Sequence, residues 1–141
     1  KCVGIELSEH NAALSQKVWS ILRPKLEKLS GRTMPEVELL CGDLCDLVRP
    51  TDFASSPNTV IWTANLLMPR SVTHYMSERF RTVASGVRIM CFDDLWHHSR
   101  SLNRVRDPEA FALFEMTDYE WQLHTVEWAV CTGEFFKHVK K

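Results

Sequence analysis

The sequence predicts an α/β domain built on a Rossmann-like, largely parallel sheet. Three observations carry that prediction. Strand-like and helix-like segments alternate along the chain. The strand-like segments are nearly continuous apolar runs, the pattern of strands covered on both faces. The chain then closes with two strand-like segments and no helix between them, which argues an antiparallel edge. With 141 residues, 45% of them hydrophobic, and a net charge of -1, there is material for one domain with a substantial core. No apolar run approaches the roughly 18 residues a membrane-spanning helix needs.

The elements follow in order. Cys2 to Leu7 is an apolar run whose one acid is Glu6. Ser8 is placed to cap a helix in which Leu14, Val18, Leu22 and Leu26 recur on one face. Pro24 should kink or split that helix, and Ser30-Gly31 should end it. Val37 to Cys41 is a second strand running into Gly42-Asp43, and residues 45–58 read as loop or short helix around Pro50 and Pro57. Thr59 to Thr63 is a third strand, followed by Ala64-Asn65-Leu66-Leu67-Met68-Pro69. Arg70 to Ala84 is helical, with Val72, Met76, Phe80 and Val83 on one side, and Gly86 separates it from a fourth strand, Val87 to Phe92. Residues 93–108 are polar and read as loop, and Phe111 to Met116 and Val126 to Cys131 form the closing strand pair.

In open α/β sheets ligands sit beyond the carboxyl ends of the strands, so the polar residues there matter most. Glu6 ends the first strand, Asp43 follows the second and Asn65 follows the third. A carboxylate can accept from both hydroxyls of a ribose, a second can accept from an adenine amino group, and an amide can both donate and accept. Singly, each has a plainer reading: a chain turning to solvent, or a Gly-Asp turn. At three successive strand ends they describe half of a nucleoside site. Neither a P-loop nor G-x-G-x-x-G occurs, so an adenosine ligand without a phosphate cradle, S-adenosylmethionine, is indicated.

Cys2, Cys41, Cys45, Cys91 and Cys131 are odd in number, sit mostly in apolar runs and read as buried free thiols. Cys41 and Cys45 are spaced C-x3-C without the second pair a zinc site needs, and His97, His98 and His124 have no acid to complete a metal set. No metal is expected. The basic residues Arg100, Arg104 and Arg106 and the closing Lys137, His138, Lys140 and Lys141 read as solvated surface, of interest if the partner is nucleic acid or chromatin.

The segments GIE at 4–6, GDL at 42–44, TVIWTANLLMP at 59–69, SERFRTVASGVRIM at 77–90 and SRSLN at 99–103 resemble the disruptor-of-telomeric-silencing family of non-SET histone-lysine methyltransferases, in one order across nearly the whole chain. The family's tryptophan and, seven residues later, tyrosine are similar to Trp121 and Trp128. The resemblance implies a seven-stranded class I S-adenosylmethionine-dependent methyltransferase fold, of which this chain is the C-terminal part. It implies a nuclear location and, as substrate, a lysine on the core surface of histone H3 in nucleosomes. By the same resemblance Glu6 holds the cofactor ribose, Asp43 accepts from the adenine amino group, and Leu44 packs where the family has a phenylalanine. The family's Asn-Asn-Phe appears as Ala64-Asn65-Leu66, so a cofactor-positioning and catalytic role passes to Asn65. Met68, Met90, Cys91, Trp121 and Trp128 line the lysine channel, with Trp121 and Trp128 as its catalytic wall. The basic C-terminal residues meet nucleosomal DNA. Without the resemblance, Trp62, Trp96, Trp121 and Trp128 read equally well as core.

Two other readings stay open: a class I methyltransferase acting on RNA or a small molecule, and a non-catalytic binding fragment. The resemblance also implies that a strand and its glycine loop, lying between residues 1–7 and 59–65 in the sheet, are missing. Several buried side chains at about 2 kcal/mol each would go with them, comparable to a domain's net stability. A preceding segment of the same domain, or a partner, is expected to supply them.

Overall fold

The computed structural model describes residues 1–47, 56–96, 107–122 and 133–141. The chain divides into two compact units, Lys1–Arg49 and Pro50–Lys141.

In the first unit, β1 (Cys2–Glu6) and β2 (Val37–Cys41) pair in parallel, with Glu6 opposite Cys41. Helix α1 (Glu9–Ser30) connects them. Both of its ends are written in the sequence. The Ser8 hydroxyl accepts from the amide of Asn11, and Gly31, at φ 64°, donates its amide to the carbonyl of Glu27. The expected break at Pro24 does not occur. A proline removes one helical bond, here to the carbonyl of Ser20, and Ser20 is exposed, so water can satisfy it. The face expected to be buried is also different. Ala12 is the buried residue of α1, Gln16 donates to the carbonyl of Leu39 at 3.2 Å, and Leu14, Val18, Leu22 and Leu26 remain exposed. A four-residue helix, α2 (Leu44–Leu47), follows β2 directly.

In the second unit, β3 (Val60–Thr63) and β4 (Arg88–Cys91) pair in parallel. Between them run a 3-10 turn (Asn65–Leu67) and helix α3 (Arg70–Phe80). Met76 and Phe80 of α3 are buried, and Val83, expected on the same helix, is buried in the turn after it. The final elements depart from expectation. Pro108–Leu113 is a short helix, α4, because Asp107 caps it by accepting from Ala110 and Pro108 occupies its first position. Strand β5 (Phe114–Trp121) therefore starts three residues later than expected. The expected strand Val126–Cys131 lies outside the described residues. Of the basic C-terminal residues, Lys137, His138 and Lys140 belong to β6 (Gly133–Lys140), which lies between β4 and β5 and is antiparallel to both. The antiparallel portion of the sheet is thus present, with its last strand inside.

Alternation across β4 and β6 sorts the side chains. Ile89, Cys91, Phe136 and His138 are buried on one face, and Met90 and its register partner Lys137 lie on the other. The buried face is closed by residues expected to be loop. Asp94, Leu95 and Trp96 are all buried, and the Trp96 ring stacks on Phe114 at 4.4 Å and meets His138 edge-on at 4.9 Å. His138, completely buried, has its Nε2 3.4 Å from Asp94 Oδ1. A basic run read as surface thus contributes a core residue, because every second side chain of an interior strand points inward. Cys91 is buried as expected, but Cys2 and Cys41 are exposed and Cys45 is half-buried.

Candidate functional site

Glu6 and Asp43 come together for a topological reason. Strands β1 and β2 are parallel neighbours, so their carboxyl ends lie side by side, and the amide of Gly42 donates to the carbonyl of Glu6 at 3.0 Å. The Glu6 carboxylate accepts from the amide of Ser8 through Oε1 at 2.8 Å, leaving Oε2 without a partner among the described residues. Asp43 uses Oδ1 to accept from Cys45 at 2.7 Å, which caps α2. The Cys45 thiol also bonds to the Asp43 carboxylate. Leu44, the first residue of α2, is half-buried beside this pair in sequence. Burial, followed by the Asp43 carboxylate, pushes the Cys45 thiol above its ordinary range. One end of the parallel pair therefore offers two carboxylates and a short apolar helix start, an acceptor set suited to hydroxyl and amino groups.

The second unit holds Asn65, Met68, Met90, Cys91 and Trp121 toward the carboxyl ends of its own parallel strands. Asn65 is only 1% exposed. Its Oδ1 accepts from the amides of Phe92 (3.0 Å) and Asp93 (2.9 Å), and its Nδ2 donates to the carbonyl of Asp93 at 2.8 Å. The amide thus ties the end of β3 to the chain leaving β4. Met68 follows the 3-10 turn and Met90 lies on β4, both half-buried. Cys91 belongs to the opposite face from Met90 and is fully buried, with Sγ 3.9 Å from the Phe136 carbonyl oxygen. Burial, reinforced by the charge of Asp94, pushes its thiol up to about 12. It does not share a surface with Met90.

Trp121 ends β5 opposite Gly133, and a methyl group on Gly133 would overlap its indole. The ring meets Phe92 edge-on (5.5 Å, 89°), and Phe92 meets Trp62 edge-on (5.1 Å, 78°). Trp62 pairs with Met90 in register. The sequence reading passed over Phe92 and Trp62 as site residues. The signal was available: Phe92 stands two positions after Met90, just past the end of β4, and the parallel register places Trp62 beside Met90. Trp128, Arg100, Arg104, Arg106, His97, His98, His124 and residues 99–103 lie outside the described residues. Among the described residues no three His, Cys, Asp or Glu side chains are grouped to hold a metal ion, and no helix is long and apolar enough to cross a membrane.

A family model described as "Histone methylation protein DOT1" matches residues 1–140. No curated protein matches the chain.

Proposed function

Since this chain belongs to the DOT1 family of histone methylation proteins, a family of histone methyltransferases, we propose that it methylates a lysine on the core surface of histone H3 within nucleosomes, in the nucleus, using S-adenosylmethionine. The observation that carries the reading is the family match over 140 residues, joined by Glu6 and Asp43 at the paired carboxyl ends of β1 and β2.

The acids fit the cofactor. Glu6 keeps Oε2 for the ribose hydroxyls while Ser8 holds Oε1, and the Asp43 carboxylate, which also accepts from Cys45, accepts from the adenine amino group through its remaining lone pairs. Leu44 supplies apolar contact to the adenine. When bound, S-adenosylmethionine supplies an electrophilic methyl group. The remaining task of the chain is to deliver a neutral lysine amine in line with it. Met68, Met90, Trp121 and Trp128 pack on the lysine stem and exclude water. A dry channel lowers the pKa of an amine, so the nucleophile gives its proton to solvent as it enters and needs no dedicated base, and positioning supplies most of the rate. Nucleosomal DNA is met through phosphates by Lys137. His138 is buried, and the Lys140 and Lys141 ammonium groups donate to the carbonyls of Arg81 and Phe111, so these three contribute little there.

The test is methyl transfer by the full-length protein from labelled donor to nucleosomes, free histones, RNA and metabolite pools. Labelled histone H3 in nucleosomes is expected. Label confined to RNA or small molecules overturns the histone reading, and no donor binding by calorimetry overturns the enzyme reading.

A further inference from the structure

Asn65 offers a ligand almost no exposed surface and one N–H at most. A side-chain amide offers two acceptor positions and two donors. Both acceptor positions and one donor are engaged with the backbone of Phe92 and Asp93, and the side chain is 1% exposed. Reaching a cofactor or substrate would break bonds that cost about 1–3 kcal/mol each to leave unmade in a buried setting. Those bonds do fix something. They set the backbone of Phe92, whose ring is the middle member of the row Trp62, Phe92, Trp121.

All three rings lie near the carboxyl ends of β3, β4 and β5, which run in one direction. Trp62 is 55% exposed and Phe92 and Trp121 half-buried, so the row is a surface feature and not core. Adjacent rings stand nearly perpendicular, so a group approaching the row meets π faces as well as edges. A π face attracts an alkylammonium within about 6 Å of its centroid, and the ring body packs on a methylene stem.

We infer that Asn65 is a positioning residue that acts through Phe92, and that the row Trp62–Phe92–Trp121 is the wall receiving the alkylammonium side chain of the substrate. This deepens the proposed histone-lysine activity and rests on it. Phe92 is then a specificity-determining residue, and Asn65 touches neither cofactor nor reacting atoms.

The test uses the full-length protein and its variants Phe92→Leu, Phe92→Tyr, Asn65→Ala and the double variant N65A/F92L. Calorimetry gives the S-adenosylmethionine Kd, steady-state kinetics give KM and kcat on nucleosomes, and thermal melts establish folding. Phe92→Leu raises the nucleosome KM about tenfold, in the range of a lost ring–cation contact, with the cofactor Kd unchanged, and Phe92→Tyr restores it. Asn65→Ala loses the same factor, and the double variant loses no more than the worse single variant, as residues acting as one unit do. Loss of cofactor affinity in N65A, multiplying losses in the double variant, or a wild-type KM in F92L each overturns the inference. Should N65A fail to fold, Asn65→Asp, which keeps an oxygen acceptor for both amides, is read by the same criteria. If the wild type methylates no histone, the proposed function falls. The inference is then judged by titrating tetramethylammonium against the indole N–H NMR signals of Trp62 and Trp121. Weaker shift changes in F92L and restored ones in F92Y uphold it, and no difference between them overturns it.

Discussion

Replacing Asp107 by alanine removes two interactions that share one carboxylate. Arg81 grips it in a fork, Nη1 to Oδ1 at 3.1 Å and Nη2 to Oδ2 at 2.6 Å, and Oδ1 also accepts from the amide of Ala110 to cap α4. Loss of such a cap costs about 1 kcal/mol. The ion pair lies between two regimes, with the Arg81 side chain 14% exposed and that of Asp107 29%. Exposed pairs are worth about 0.2–1 kcal/mol, and breaking a fully buried pair costs about 3–5 kcal/mol. Arg81 keeps Glu78 and Glu109 as partners, which softens the loss to about 1–2 kcal/mol. Asp107→Ala should therefore cost about 2–3 kcal/mol at pH 7. The bonds donated by Arg81 hold the Asp107 carboxyl below the usual carboxylate range. A depressed folded-state pKa gives stability that is complete above the unfolded value and is lost as pH falls through the folded one. Urea denaturation of wild type and D107A should show a constant gap from pH 7 to about 5 and a narrowing gap below about 4. A gap under about 0.5 kcal/mol at pH 7, or one that does not narrow in acid, would refute this reasoning.

Three further outcomes are expected. Gly133→Ala forces the Trp121 indole aside, an overpacking cost of about 1–3 kcal/mol, and Trp121→Leu in the same chain should recover most of it in the urea midpoint. At pH 8 an alkylating reagent should label exposed Cys2 and Cys41 readily but spare Cys91, whose thiol sits at about 12, until denaturant is added; mass spectrometry of the labelled peptides reads the difference. Glu6→Gln keeps the acceptor for Ser8 but loses the charge, so S-adenosylmethionine affinity measured by calorimetry should fall roughly tenfold, the worth of a charge-assisted hydrogen bond, with the melting temperature little changed.

Local chemistry was the legible part of the chain. Ser8 and Gly31 mark the two ends of α1, and the apolar runs mark β1 to β4 to within about two residues. Glu6 and Asp43 could be read as neighbours because parallel pairing of consecutive strands brings their carboxyl ends together. Pro24 misled because its rule concerns a backbone bond, and the cost of losing that bond depends on whether water reaches Ser20. The signal of α4 was present in Asp107-Pro108 but was masked by the apolar residues Phe111 to Leu113, which suit strand and helix alike.

The sequence by itself determined the kind of protein this is. Element order, strand-end acids and the family pattern are all properties of residues near one another in the chain, and local sterics and hydrogen bonding act at that range. Tertiary structure alone decided which side chains face which way. His138 carries the look of a solvated basic tail, yet pairing of β6 between β4 and β5 places it in the core beside Asp94. Asn65 carries the look of a ligand-binding amide, yet the return of the chain at Phe92 and Asp93, 27 and 28 residues away, engages it. Met90 and Cys91 are adjacent in sequence and separated by the sheet. Polarity is a property of a residue, whereas burial is a property of its neighbours, and those neighbours are set by pairings between distant strands.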